Sequence, residues 1–475
     1  MTDLMPALPE MYLAGAICLL VLFDLFIGEK KPSRNATFTL LLLVIGAGLT
    51  AYTADWGTSR LLFSGLYVAD DLGIVLKLAA FLFVAIGLYY ANGYLARRGL
   101  QKGEYYVLTL TALLGILVLG SAGNLITVYI GIELLSLSLY ALVAFDRENG
   151  IAAEAAMKYF VLGAIASGTL LYGMSLVYGL TGSLDLGEIA QALQGEPSLG
   201  LILGLAFLVV ATAFKFGAAP FHMWVPDVYH GAPTSVTLLV ATAPKIASFA
   251  LAYRLLASGL GEVSGTWAQM LAIIAVLSIA LGNVVAVAQT NLRRMLAYSA
   301  VANVGFILLG FVTGGAEGYE AALYYTLAYV VMVLGAFGVM LLASRDGFEA
   351  DELEHYKGLH ARDPSLAAIM AVMMFSTAGI PPFVGFWAKL AIINSVVAAG
   401  HTYLAIAAVV LSVIGAFYYL RIVWLMYFEA PGSLPKGEPR FGVRFVLGIN
   451  ALVVIAFGLM PDTLIALCRQ VIPGG

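Results

Sequence analysis

Residues 207–224 read FLVVATAFKFGAAPFHMW. The apolar run leading into them, Leu199 to Ala213, suits hydrocarbon, yet Lys215 follows, with Gly217, Pro220 and His222 close behind. A charged group at the centre of a bilayer costs a few kcal/mol or more. Glycine and proline interrupt a helix and free backbone groups that lipid cannot satisfy, so such a break is tolerated only where protein or a water-filled cavity surrounds it. A lysine beside a helix break therefore predicts the interior of a bundle of membrane helices.

Composition extends this reading to the whole chain. Of 475 residues 61% are hydrophobic and 11% charged, against roughly 25% charged in soluble domains, and mean hydropathy is +0.95. The net charge of -4 is dispersed, so neither a nucleic-acid footprint nor a polybasic lipid-binding tail is expected. Cys18 and Cys468 have no cysteine or histidine at ligand spacing, and no disulfide framework, zinc site, iron-sulfur cluster or attached haem is expected. The opening MTDLMPALPE is acidic where a cleaved signal peptide is basic, so the first apolar run is predicted to be a retained helix. No Walker motif, dinucleotide fingerprint or loop long enough for a nucleotide domain is present, so energy must come from an ion gradient or a partner.

A helix crossing about 30 Å of hydrocarbon needs about 20 mostly apolar residues. That ruler predicts an all-α polytopic membrane protein of fourteen helices, beginning near Met11, Ala36, Leu72, Tyr105, Asn124, Ala153, Leu199, Thr234, Trp267, Met295, Tyr319, Ser365, Tyr403 and Phe441. The runs are continuous and rich in Leu and Ala, which excludes the alternation of a β-barrel. Placing both termini outside puts Lys30, Lys31, Arg34, Arg97, Arg98, Lys102, Arg147, Arg293, Arg294, Arg345, Lys357, Arg362, Lys436, Arg440 and Arg444 on inner segments, and only Arg60, Arg254 and Arg469 on outer ones. This excess of basic residues within is the positive-inside pattern.

The seventh helix runs to about Tyr229 through Gly217, Pro220 and Pro226; the twelfth runs from Ser365 to about Ala399 through Gly379, Pro381, Pro382 and Gly385. Paired interruptions of this kind point to an inverted-repeat transport unit. Helices seven and twelve differ by an odd number and so cross in opposite directions. The expected organisation is three N-terminal helices (1–103), a first five-helix repeat of helices four to eight (104–262), a second, inverted repeat of helices nine to thirteen (263–430), and a final helix with its tail (431–475).

Charges within the helices supply candidate chemistry. Lys215 and Lys245 lie near mid-helix, beyond easy snorkelling, and Lys389 follows the second break, in the place that Lys215 takes in the first unit. Desolvation disfavours a charged lysine and a nearby carboxylate favours it, so such residues suit a proton relay. Glu133 is expected to face Lys215 and tune it, the alternative being a neutral, hydrogen-bonded acid. His222 and His230 suit proton delivery, or equally the capping of freed carbonyls. Glu154 and Lys158, spaced i, i+4, read either as a local ion pair or as the lining of an inner inlet. Lys77, Arg421 and Asp24 read as interface anchors, and Arg293 and Arg294 as topology signals.

Three stretches carry a resemblance: KFGAAPFHMWVPDVYHGAPTSVTLLVATAPKIASFALAYRLL (Lys215 to Leu256), NLRRMLAYSAVANVGF (Asn291 to Phe306) and GIPPFVGFWAKL (Gly379 to Leu390). They resemble the antiporter-like membrane subunits of respiratory complex I, a family shared with multisubunit sodium/proton antiporters and membrane-bound hydrogenases. The resemblance covers essentially the whole chain and looks most like the N type. Three features favour it: the chain stops soon after helix fourteen, without the L type's lateral helix; Lys389 stands where the M type usually has a glutamate; and GIPPFVGFWAKL has the N-type wording.

The resemblance implies a proton-translocating subunit in a bacterial inner membrane, with M-type and K-type neighbours, the lateral helix of an L-type subunit, and lipids as partners. NADH, FMN, iron-sulfur clusters and quinone are implied for other subunits and no cofactor for this one. Glu133, Lys215, Lys245 and Lys389 match the family's relay. Helices ten and eleven hold no further lysine or histidine, so Tyr298, Tyr324, Tyr325, Tyr329 and water are expected to bridge the second half. A sodium/proton antiporter subunit is the competing reading, and a transport-inactive scaffold the third.

Overall fold

The computed structural model describes residues 2–472 except 29–30, 194, 346 and 432–440. Lys30, Lys436 and Arg440 lie outside the described residues. Among the described residues, thirteen helices are long and apolar enough to cross a membrane. They are helix one (Leu4–Gly28), two (Ser33–Tyr52), three (Asp71–Arg97), four (Gly103–Gly120), five (Leu125–Val143), six (Gly150–Thr181), seven (Leu199–Phe216), eight (Thr234–Gly259), nine (Gly261–Val287), ten (Leu292–Val312), eleven (Ala316–Ala343), thirteen (Thr402–Phe428) and fourteen (Phe441–Leu459). Helix twelve is two shorter apolar pieces, Pro364–Ala378 and Val384–Ala398. Helix seven resumes as Trp224–Gly231 after its break. Each of the fourteen expected helices thus has its counterpart among the described residues, the twelfth as two pieces.

Polar residues at the helix starts do the capping. The Asn124 side chain accepts from the Ile126 amide at 2.9 Å, Asn149 from Ile151 at 3.0 Å, and Asp363 from Leu366 ahead of a first-turn proline, each satisfying an amide that the helix leaves free. Helices eight, ten and eleven are buried almost throughout and form the centre. Close packing relies on glycine: a Cβ on Gly115 would lie 2.6 Å from the Leu135 nitrogen, joining helices four and five. A Cβ on Gly282 would lie 2.6 Å from the Ala302 nitrogen, joining helices nine and ten.

Several features differ from the sequence-based expectation. Residues Arg60–Leu62 and Tyr67–Ala69 form a small antiparallel hairpin between helices two and three. Short helices Leu186–Ala192 and Pro461–Val471 follow helices six and fourteen. Helix eight is kinked at Thr242, just ahead of Pro244, which has no amide to donate; Thr242 Oγ1 bonds its own i−4 carbonyl, that of Leu238, at 2.7 Å. Lys77 does not snorkel: it is buried, with its Nζ 2.6 Å from the Glu10 carboxylate of helix one and 2.6 Å from the Tyr67 hydroxyl. Its partners are remote in sequence, which is why the residue read as a lone charge. Arg421 reaches the Val287 and Gln289 carbonyls at the end of helix nine, and Asp24 accepts from Asn35. Arg254 is buried in a two-pronged pair with Asp70, at 2.6 and 2.7 Å.

Candidate functional site

The first break is built by Gly217, whose φ of 77° ends helix seven in the left-handed conformation. The freed carbonyls then find specific donors. Lys245 Nζ donates to the Phe216 carbonyl at 2.7 Å, Ser248 Oγ to the Lys215 carbonyl at 3.0 Å, and Trp224 Nε1 to the Phe214 carbonyl at 3.1 Å. Beyond the glycine, the Ala219 amide donates to Ser278 Oγ of helix nine at 2.8 Å. Pro220 lies within the break and Pro226 within the resumed helix. Lys215 and Lys245 line one cavity of about 20 Å³ with Ser136 and Ser248, room for about one water.

Among the described residues Glu133 and Lys215 make no direct ion pair. Lys215 Nζ donates to Ser136 Oγ at 2.8 Å, while the Glu133 carboxylate accepts from Ser167 of helix six. Ser136 lies one turn after Glu133 on the same face of helix five.

The second break repeats the first with different spacing. Gly379 has φ 88°, and Lys389 Nζ donates to the carbonyl just before it, that of Ala378, at 2.9 Å. The same ammonium bonds Ser412 Oγ of helix thirteen at 2.9 Å and lies 5.4 Å from the centroid of the Phe306 ring, a cation–π arrangement. Pro381 and Pro382 lie in the gap before Val384. Lys389 and Lys245 thus make the same contact, each holding the carbonyl that precedes a left-handed glycine.

Between the two breaks lies a polar cluster with no lysine. Ser299 and Tyr419 are hydrogen-bonded at 2.5 Å, the Asn303 amide donates to Tyr419 at 3.2 Å, and Tyr325 donates to Asn303 Oδ1 at 2.7 Å. Of the four expected tyrosines, Tyr325 is in this cluster and Tyr329 is buried one turn further along helix eleven. Tyr298 has its ring 6.2 Å from that of His222, whose buried Nδ1 has no hydrogen-bond partner among the described residues. Tyr324 faces a separate cavity near the start of helix eleven. Near the start of helix six Lys158 bridges Glu154 and Asp227, at 2.9 and 2.8 Å, and Asp227 also meets Arg294. His230 lines a cavity of about 180 Å³ with Arg98, Asp146, Arg293, Glu349 and Asp351. The two arginines read as topology signals thus have structural partners: Arg293 is buried against the Ala232 carbonyl and Asp351.

Sequence reading missed Ser136, Ser248, Ser299, Asn303, Ser412 and Tyr419. A serine in an apolar helix commonly bonds its own i−4 carbonyl, as Ser138 does to Leu134, so residue type alone does not separate Ser136 from Ser138.

The profile of the NADH:quinone oxidoreductase/Mrp antiporter transmembrane family matches residues 122–415. This chain is a member of that family. A relative from Thiobacillus denitrificans named NADH-quinone oxidoreductase subunit N is 51% identical over 470 residues, covering 98% of this chain and 97% of its own. A chain of respiratory complex I from Thermus thermophilus with bound aureothin is 34% identical, with 97% and 99% coverage and a TM-score of 0.83. A chain of the Mrp complex from Dietzia, at 21% identity and a TM-score of 0.84, covers 98% of this chain and 96% of its own and shares the fold.

Proposed function

We propose that this chain is a proton-translocating membrane-arm subunit of NADH-quinone oxidoreductase. In this reading protons move through a mid-membrane relay while NADH, FMN, iron-sulfur clusters and quinone do redox chemistry in partner subunits. M-type and K-type subunits are its neighbours, an L-type lateral helix runs along it, and the assembly lies in a bacterial inner membrane with both termini of this chain outside. The observation that carries the relay is that Lys245 and Lys389 each hold a carbonyl freed by a helix break.

A proton on Lys215 reaches Lys245 through the single water that their shared cavity can hold. A lysine bound to a carbonyl can give up one proton and remain a donor, so transfer does not require the break to close. From Lys245 the path continues by His222 and Tyr298 to the Ser299, Asn303, Tyr325 and Tyr419 cluster, and then to Lys389. Glu133 acts on Lys215 through Ser136, and a swing of its carboxylate from Ser167 to Ser136 would change the field at the lysine. His230, with the Glu154 and Lys158 network, belongs to the inner inlet.

The inverted repeat has its own support. Asn124 caps helix five and pairs with Asp185; Asn291 caps helix ten and pairs with Glu352. Both separations are 61 residues (185 − 124 and 352 − 291), and helices five and ten cross in opposite directions.

Lys215→Met and Lys389→Met test the reading in inverted membrane vesicles. The expected outcome is a fully assembled complex with proton uptake per NADH reduced and NADH oxidation slowed. Unchanged uptake in both variants would leave only a scaffold. Copurification of the tagged chain with antiporter subunits and no quinone-reducing arm would instead establish the cation-antiporter reading.

A further inference from the structure

We infer that the outer ends of helices eleven and twelve, with the helix Pro461–Val471, form a binding site for an aminophospholipid with a primary ammonium headgroup. Two cavities lie end to end along one stripe of helix eleven. The first, about 430 Å³, is lined by Glu317, Glu320, Tyr324, Asn394, Ser395 and Arg469. The second, about 470 Å³, is almost wholly apolar and continues the stripe at Leu327, Val331 and Leu334, closed by helices three and fourteen. Positions 317, 320, 324, 327, 331 and 334 recur at three and four residues, so they share one face. Tyr324 to Leu334 spans about 15 Å at 1.5 Å per residue, half of the about 30 Å hydrocarbon thickness and so the depth of one leaflet.

The polar end has the charge pattern of a zwitterion. Glu317 and Glu320 supply anionic oxygens, and the Arg469 guanidinium stands at the mouth with its Nε 3.5 Å from Glu320 and its side chain 67% exposed. An ammonium fits between the carboxylates, with the phosphate outward on Arg469. A further group points to an occupant: Tyr324 lines this cavity, and its buried hydroxyl has no hydrogen-bond partner among the described residues. A buried hydroxyl is ordinarily satisfied, and an ammonium donor would satisfy it.

A trimethylated choline cannot donate to that oxygen, and two carboxylates oppose an anionic glycerol headgroup, so the arrangement selects phosphatidylethanolamine. The helix Pro461–Val471 fits an interfacial role, turning Leu464 and Leu467 to the apolar groove and Cys468 and Arg469 to the polar cavity. Trp56 at the groove lies where aromatic residues mark the membrane interface.

The test is photocrosslinking in the intact complex, with benzoylphenylalanine in place of Ala398, which is exposed and lines the polar cavity. Membranes containing phosphatidylethanolamine and phosphatidylglycerol are irradiated and adducts on this chain are weighed. Phosphatidylethanolamine should be enriched about tenfold over its bulk share, with the enrichment lost in Glu320→Gln and total lipid adducts lowered by Val331→Phe, which narrows the groove. If Glu320→Gln fails to assemble, the headgroup identity of the parental adduct decides alone. Adducts in bulk proportion overturn the proposal, as does crosslinking to a protein chain, which would make this face a subunit interface.

Discussion

Lys389 and Lys245 show how a single residue can be held ready in hydrocarbon: each ammonium is bonded to a carbonyl that a left-handed glycine has released. The two glycines differ in what surrounds them. A Cβ on Gly379 would lie 2.9 Å from Lys389 Cδ, whereas one on Gly217 would lie 2.6 Å from Val225 and 3.9 Å from Lys245 Nζ. Either alanine adopts a positive φ at a cost of about 1–2 kcal/mol, but only Gly379→Ala displaces its lysine. Gly379→Ala should therefore lower proton uptake per NADH much more than Gly217→Ala, with both complexes assembled. Equal losses would mean that backbone strain, and not lysine placement, limits transport. The lysines were legible because charge in an apolar run is conspicuous. Their partners were not, since a backbone carbonyl carries no sequence signal and Ser136 or Ser412 resembles any helical serine.

At the scale of elements, apolar run length disclosed all fourteen helices, and glycine and proline disclosed both breaks. Pro244, in the interior of helix eight, did carry a signal for the kink at Thr242, whereas the hairpin at 60–69 was hidden because three-residue strands have too little alternation to register. The loop between helices eleven and twelve illustrates a joint that only packing reveals. Asp351 is held by Arg293 at 2.7 Å and by Asn291 at 3.1 Å, and Arg98 meets Glu349 at 2.9 Å. Burial pushes the Asp351 carboxyl up, but the Arg293 guanidinium outweighs it and holds the group below the usual carboxylate range. Because its folded-state pKa is depressed, the stabilisation is present above the ordinary value of about 4 and is lost as pH falls through the folded value. The protection of residues 347–352 against hydrogen exchange in the intact complex, taken relative to the intrinsic rate at each pH, should thus stay high at neutral pH and fall only in acid. Asp351→Asn should remove about 1–2 kcal/mol after solvent screening, roughly a tenfold faster exchange at neutral pH. If the variant exchanges like the parent at neutral pH, the ion pair does not hold the loop.

For the whole molecule, the proposed inversion and the proposed orientation are separable. Inversion requires the Asn124–Asp185 joint and the Asn291–Glu352 joint to lie on opposite faces of the membrane; the distribution of basic residues requires the first to be outside. Glu188 and Glu354 are exposed and lie two or three residues beyond these joints. Native thiols interfere little, since Cys468 is buried and Cys18 belongs to the apolar helix one. A membrane-impermeant maleimide should label Glu188→Cys in right-side-out vesicles and Glu354→Cys only in inverted ones. Both surface glutamates make only exposed contacts, to Ser183 and Lys357, so replacement should cost little stability. Labelling of both from one face would refute the inversion whatever the orientation. A clean reversal would keep the inversion and move both termini inside, which would turn the cavity beside His230 from an inlet into an outlet.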